Sequence, residues 1–185
     1  MAEKVLYVKT WYLDMKQPPS ERLRIRDDLN IALVKNPGIQ FYRFLFKAVG
    51  EKWGWVYRVM MSDEELVTII HDSRVEIYVL YINGSPAGYA ELDKRTAGEI
   101  ELVYFGLLPE FIGRGLGKYF LQWVVEKAWK CSPARLWLHT CEYDHPAALP
   151  LYLKAGFNIY DEKILEHRIP EYLFETWQRK RRAGN

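Results

Sequence analysis

The stretch that most limits how this chain can fold is Glu99–Lys130, EIELVYFGLLPEFIGRGLGKYFLQWVVEKAWK. Residues 99–108 alternate and are rich in β-branched, aromatic and leucine side chains, which suits a pleated strand. Pro109 cannot donate to a ladder, so the strand should stop there. Gly113, Gly115 and Gly117 then allow a tight turn and a close backbone approach to a ligand. From Leu116 the apolar residues Phe120, Trp123, Val124 and Ala128 recur at helical spacing, with Lys118, Gln122, Glu126 and Lys127 between them. A glycine-rich turn opening a helix offers unpaired N–H groups and the positive end of a macrodipole, a site for phosphate.

Spacing separates the candidate phosphate motifs. The dinucleotide fingerprint G-x-G-x-x-G fails, because Gly113 and Gly115 would need a glycine where Lys118 stands. The nucleotide P-loop fits at Gly117–Lys118, but Ile112 replaces its first glycine and Tyr119 its Mg²⁺-binding hydroxyl residue. A third pattern fits better. The segment from Leu107 to Gly117, LLPEFIGRGLG, resembles the acyl-CoA signature [QR]-x-x-G-x-[GA] of the GNAT superfamily of N-acyltransferases, with its preceding V-x-P-E-[FY]-type segment. Gly115 and Gly117 fall on the signature glycines, and Ile112 stands where the family usually has Gln or Arg.

A second segment supports the same family. His145–Phe157, HPAALPLYLKAGF, resembles N-x-x-A-x-x-L-Y-x-K-x-G-F, with matches at Ala148, Leu151, Tyr152, Lys154, Gly156 and Phe157 and His145 in place of Asn. The resemblance covers residues 75–164 well and the earlier part by element order.

The order of elements is readable throughout. Residues 5–13 read as an opening strand, and Pro18-Pro19-Ser20 as a break. Residues 21–36 are ambiguous, with helical charge spacing over 21–29 and a short strand at 31–35. Residues 39–49 read as an amphipathic helix closed by Gly50, and Ser62 as the N-cap of another helix buried through Leu66, Ile69 and Ile70. The strand VEIYVLYI at 75–82 ends at Asn83-Gly84, a strong hairpin signal, so its partner is 86–93 and a second turn leads back to the strand at 99–108. After the glycine-turn helix come a strand at 135–140, a helix at 145–155 that contains Pro150, a last strand at 157–164, and a basic tail ending in Arg179-Lys180-Arg181-Arg182. No repeat or linker divides the 185 residues, so one domain is expected; the tail from Glu166 carries an amphipathic turn or two through Tyr172, Leu173, Phe174 and Trp177, and its basic end is expected to be solvated, with contact to CoA phosphate or nucleic acid as the alternatives.

Composition narrows the classes. A net charge of +2 with interspersed acids and bases argues against nucleic acid or an anionic membrane as partner. No run reaches membrane-span length, Met1–Lys9 lacks the apolar core of a signal peptide, and a cytoplasmic location is the default expectation. Cys131 and Cys141 fit no metal spacing, and His139 and His145 beside Cys141 read as packing, so no metal is expected. Aromatic richness is compatible with a homodimer. Trp53, Trp55 and Tyr57 read as core residues, with an acceptor pocket as the alternative.

The resemblance implies an α/β fold of GNAT type: a mixed, mostly antiparallel sheet splayed at the 99–108 strand and flanked by helices. It implies acetyl-CoA as acyl donor, held by Phe105, Gly106, Leu107, Ile112, Gly113, Arg114, Gly115, Leu116, Gly117, Lys118 and His145. It implies an N-acetyltransferase acting in a ternary complex on a small-molecule or peptide amine, with a backbone N–H near Leu107 as oxyanion donor and Tyr152 as general acid. By that resemblance Glu101 takes the place of the base. Period-two alternation puts Glu101 on one face with Val103, Phe105 and Leu107, with Glu99 and Glu91 nearby. Such clustered acids would favour a cationic primary amine. The rival readings are an acyl-CoA-binding sensor or scaffold without turnover, and a nucleotide-binding module.

Overall fold

A computed structural model describes residues 2–20, 23–24 and 26–182. Of the ambiguous 21–36 stretch, Glu21, Arg22 and Ile25 lie outside the described residues, and no helix forms among the described part of 23–29.

The sheet is built from β1 (Glu3–Met15), β2 (Asn30–Leu33), β3 (Val75–Ile82), β4 (Ser85–Asp93), β5 (Glu99–Leu107), β6 (Arg135–Cys141) and β7 (Asn158–Pro170). Its order is β2-β3-β4-β5-β6-β1-β7. Every neighbouring pair is antiparallel except β5 and β6, which run parallel for only three residue pairs, Glu99–Arg135 to Glu101–Trp137. The expected mixed sheet, splayed at this strand, is what the chain adopts. The opening strand β1 inserts between β6 and β7 and is longer than its apolar core alone suggested, because β7 pairs with it from Glu3–Pro170 to Asp14–Asn158.

Helices cover both faces. On one side lie α1 (Ile39–Gly50), α2 (Tyr57–Met60) and α3 (Asp63–Ile70), where Tyr42, Leu45, Phe46 and Ile70 pack on Ile77, Val79 and Tyr89. On the other lie α4 (Leu116–Trp129) and α5 (Ala148–Lys154), where Phe120, Val124, Ala128 and Tyr152 pack on Ile100, Leu102, Leu136 and Leu138. Each fully buried aromatic or branched side chain contributes about 1.5–3 kcal/mol. Ser62 caps α3 in a complete capping box with Glu65, and Asn83 and Gly84 both adopt positive φ in the hairpin turn. Pro150 is the third residue of α5, in the first turn, where its missing N–H has no intrahelical partner to lose.

The helix α1 ends at Gly50 as expected, but not through a left-handed cap: the φ of Gly50 is −102°, the chain continues as a 3-10 turn over Glu51–Trp53, and the left-handed residue is Gly54 at φ +79°. Glycine is needed at 50 for space, since a Cβ there would sit 2.2 Å from the Trp55 ring. The amphipathic turns of the tail are one longer helix, α6 (Glu171–Arg182), docked through buried Trp177, whose Nε1 donates to the Lys52 carbonyl at 3.0 Å, and through a Lys180–Glu51 ion pair; Arg179, Lys180, Arg181 and Arg182 are exposed. Among the described residues no helix is long and apolar enough to cross a membrane.

Candidate active site

The site begins with one extra residue. Glu91 pairs with Tyr104 but Leu92 pairs with Leu102, so Val103 bulges out of β5. The bulge resets the alternation. Asp93, Glu91 and Tyr89 on β4 share a face with Glu101, Tyr104 and Gly106, while Phe105 and Leu107 turn to the opposite face with Leu102. Glu101 therefore does not share a face with Phe105 and Leu107, because strict period two fails at Val103. Beyond Glu101 β5 and β6 no longer pair, and a cleft opens between them.

The backbone edge of that cleft is polar. The Leu108 N–H donates to the Ala87 carbonyl of β4 at 2.9 Å, so by alternation the Leu107 N–H faces the opposite way, towards the strand that has parted. Next to it stands the start of α4. Gly113 (φ +83°) and Gly115 (φ +72°) adopt a backbone that only glycine takes without strain, although a Cβ at either would meet nothing within 4 Å. Gly115 is the N-cap, and no side chain caps the helix. The first N–H groups of α4 are thus free for an anion. Lys118 and Lys154 also line the cleft, and among the described residues neither has an ion-pair partner.

The cleft is a cavity of about 490 Å³. Of the residues expected to hold the donor, Phe105, Gly106, Leu107, Ile112, Gly113, Gly115, Gly117, Lys118 and His145 line it. Leu116 and Arg114 do not. The Leu116 side chain is buried in the core, leaving its backbone to the turn, and the Arg114 guanidinium lies over the Phe111 ring at 5.3 Å. His145 packs edge-on against Trp53 and accepts the Ala147 N–H on Nδ1 at 3.0 Å; burial first, then Lys52, lowers its pKa.

Tyr152 reaches the cavity from α5, wedged between Phe105 and Phe157. Its hydroxyl has no protein partner among the described residues. Burial, then the nearby Asp144 charge, pushes its pKa far above that of an ordinary phenol, so it stays protonated and able to donate.

The carboxylates are dispersed rather than clustered. Glu91 is fully buried, bound to Arg58 Nη2 at 2.6 Å and receiving the Tyr42 hydroxyl. Glu99 pairs with Arg135 at 2.9 Å. Glu101 sits behind the wall, with Oε1 3.4 Å from His139 Nδ1, and it is the imidazole that lines the cavity. The acids therefore do not form the cation site that clustering would require.

Residues that the sequence reading assigned to packing line the cavity instead. Trp53, Trp55 and Tyr57 all do so, and Trp55 Nε1 donates to Asp144 Oδ1 at 3.1 Å. Asp144 Oδ2 accepts from the Thr140 hydroxyl and the Cys141 N–H. Cys141 is no nucleophile: burial and Asp144 push its thiol up to about 12. His139 and His167 lie on the same sheet face through the pairings Tyr12–His139 and Leu6–His167. The signal available for them was alternation along β6 and β7, readable only once β1 is known to lie between. Among the described residues no cluster of three or more metal-ligating side chains forms.

The family profile described as Acetyltransferase (GNAT) family matches residues 41–157. The chain belongs to this family. A search of curated proteins found no match. Solved structures with the GNAT fold superpose well at low identity, which speaks to fold alone. A functionally unknown conserved protein from Staphylococcus epidermidis is 23% identical with a TM-score of 0.60, over 90% of this chain and 64% of that one. A GCN5-related N-acetyltransferase from Sphaerobacter thermophilus is 15% identical with a TM-score of 0.62, over 88% and 51%. A Bacillus subtilis acetyltransferase, solved in complex with CoA, is 22% identical with a TM-score of 0.55, over 72% and 78%. The chain thus spans less than two thirds of the first two proteins' lengths. Acyl transfer is the chemistry this GNAT membership supports.

Proposed function

We propose that this GNAT protein transfers the acetyl group of acetyl-CoA to a primary amine. The observation that carries the reading is the uncapped, left-handed-glycine start of α4 and the unpartnered, protonated hydroxyl of Tyr152, both on the cleft where β5 leaves β6. The family match and the CoA complex of the Bacillus subtilis neighbour support the choice of donor.

Acetyl-CoA supplies the activated thioester carbon that the amine attacks. The amides of Leu116, Gly117 and Lys118, with the Lys118 and Lys154 ammonium groups, hold the pyrophosphate. The Leu107 N–H donates to the carbonyl oxygen as negative charge builds there. The nucleophile must shed a proton, since an ammonium has no lone pair. His139 Nε2 takes that proton, and Glu101 orients the ring from Nδ1 and stabilises the imidazolium. The Tyr152 hydroxyl gives its proton to the departing sulfur. As the carbon–sulfur bond breaks, the new amide nitrogen sheds its second proton, which restores the Tyr152 phenol, so the step ends in an amide, free CoA and one proton on His139.

Ile112, at the mouth where the family signature carries a polar side chain, favours the second reading of an acyl-CoA-binding domain without turnover. A thermal-shift titration with acetyl-CoA, CoA, ATP and NADH tests the donor. Saturation at about 100 times Kd adds about 2.7 kcal/mol and several degrees of melting temperature. A shift with the CoA species alone, followed by amine-dependent thiol release, is the expected result. No shift with either CoA species would overturn the reading.

A further inference from the structure

Neighbouring strands keep their spacing through the backbone ladder, and β5 and β6 lose that ladder past Glu101–Trp137. The proposed chemistry needs groups from both sides of the resulting gap. The Leu107 N–H belongs to β5, His139 to β6, and Tyr152 to α5, which follows β6. With no ladder there, side-chain contacts set the distance between the two sides. On the face covered by α4 and α5, the rings of Phe105 and Tyr152 meet at 6.3 Å between centroids. On the opposite face, one indole reaches from side to side.

That indole is Trp55. Its backbone N–H donates to the Gly50 carbonyl at 3.1 Å, and its ring lies so close to Gly50 that an added Cβ would come within 2.2 Å. The ring packs against Phe46 at 5.7 Å and against Tyr104 of β5 at 5.0 Å, and its Cη2 reaches Gly106, where a Cβ would stand 4.0 Å away. The β5 end of the indole is thus fixed. At the other end Nε1 donates to Asp144 Oδ1 at 3.1 Å. Asp144 follows β6 and is tied back to it, since Oδ2 accepts from the Thr140 hydroxyl at 2.7 Å and from the Cys141 N–H at 2.9 Å. Trp53, from the same segment, meets the next residue of that loop, its ring edge-on to His145 at 4.9 Å. The Asp144 charge also stands near enough to Tyr152 to add to the rise in its pKa that burial begins.

We propose that Asp144 is a positioning residue: it holds the Trp55 indole as a strut across the parted strands and so fixes His139 and Tyr152 relative to the Leu107 N–H. This rests on the acyl-transfer reading and adds to it the contact that assembles the site. Asp144 acts through Trp55 and not on the substrate, because both carboxylate oxygens are engaged by protein donors. A misplacement of about 1 Å between reacting groups costs about 10²-fold in rate, so loss of the strut should show in turnover. Neither residue belongs to the glycine turn before α4, so binding of the donor should be spared.

The test is a double-mutant cycle on the full chain, with Trp55→Phe, Asp144→Asn and the two combined, run well below the melting temperature of each variant. Trp55→Phe keeps an aromatic ring and deletes Nε1, and Asp144→Asn removes the charge and turns one acceptor into a donor. Thiol release from acetyl-CoA is followed with hydroxylamine, 2-phenylethylamine, spermidine and kanamycin, and the cycle uses whichever the parent turns over fastest. Each single variant should lose about 10–10²-fold in kcat, while the acetyl-CoA KM stays within about twofold and its thermal shift persists. The double variant should be no slower than the worse single one, because both substitutions break the same bond. Losses that multiply, or an unchanged kcat in either single variant, overturn the inference. So does loss of the acetyl-CoA shift in the variants, which would make the pair a packing contact. A parent that binds acetyl-CoA yet releases no thiol with any of these amines would instead sink the transfer reading, and the role of the strut with it.

Discussion

His139 Nδ1 lies 3.4 Å from Glu101 Oε1, across two strands that pair only as far as Glu101–Trp137. The contact places an imidazole between a carboxylate and the cavity, and in the proposed reaction its Nε2 takes the proton of the amine. Replacing His139 with Gln should lower kcat/KM by about 10²–10⁴-fold. Glu101→Gln should cost less, about tenfold, because the imidazole that takes the proton remains. If Glu101 is itself the base, the order of the two losses will reverse. Steady-state kinetics of both variants decide.

Tyr152→Phe removes one oxygen from a side chain packed between Phe105 and Phe157 and keeps the ring contacts. Turnover should drop about 10²-fold or more while CoA affinity, read by calorimetry, stays within twofold. An unchanged rate would remove Tyr152 from the chemistry. Equal losses in rate and CoA affinity would make it a packing residue.

Arg58 and Glu91 form an ion pair buried under α1, with Tyr42 donating to the second carboxylate oxygen and accepting from Arg58 Nε at 3.2 Å. Removing one charge strands the other in apolar surroundings. Glu91→Ala should destabilise by about 3–5 kcal/mol, whereas the double variant Arg58→Met, Glu91→Met should recover much of that loss. Denaturant unfolding measures both. A Glu91→Ala protein as stable as the parent would show that the pair contributes nothing.

Much of this architecture was legible because local rules and tertiary structure agree. The Asn83-Gly84 turn, the Ser62 cap and the glycine turn before α4 each place a residue type where its backbone chemistry requires it. The glycine-turn side of the cleft follows from those same rules. The opposite side was hidden for two physical reasons. Val103 adds a residue to β5 without any compositional mark, and it moves Phe105 and Leu107 off the Glu101 face. The position of β1 between β6 and β7 depends on pairings across more than 120 residues, as in Thr10–Cys141 and Thr10–Lys163, which no local pattern encodes. The same insertion brings His139 and His167 together on the cavity wall, to which α6 adds Trp177. Reading Trp53, Trp55 and Tyr57 as core was reasonable on residue type, since cavity walls and cores use the same side chains.

Two of the cavity histidines should also set the acid limit of stability. Burial lowers the pKa of His145, with Lys52 adding to it, and burial lowers that of His167, with His139 adding to it. Both stay neutral in the folded chain at a pH where the unfolded chain, with an imidazole pKa of about 6.5, has begun to take up protons. The unfolded state then binds more protons, so stability rises with pH through this window. The contribution is present above about pH 6.5 and is lost as pH falls through the folded values. The melting temperature of the free protein should therefore decline steadily between about pH 7 and pH 5, before most carboxylates titrate. His145→Asn and His167→Phe should each flatten part of that decline, and the two effects should add, since the residues sit on different elements. Scanning fluorimetry across that range, with CoA absent, measures the slope. A melting temperature that is flat or rises towards pH 5 would mean that these rings are as free to protonate in the folded chain as in the unfolded one.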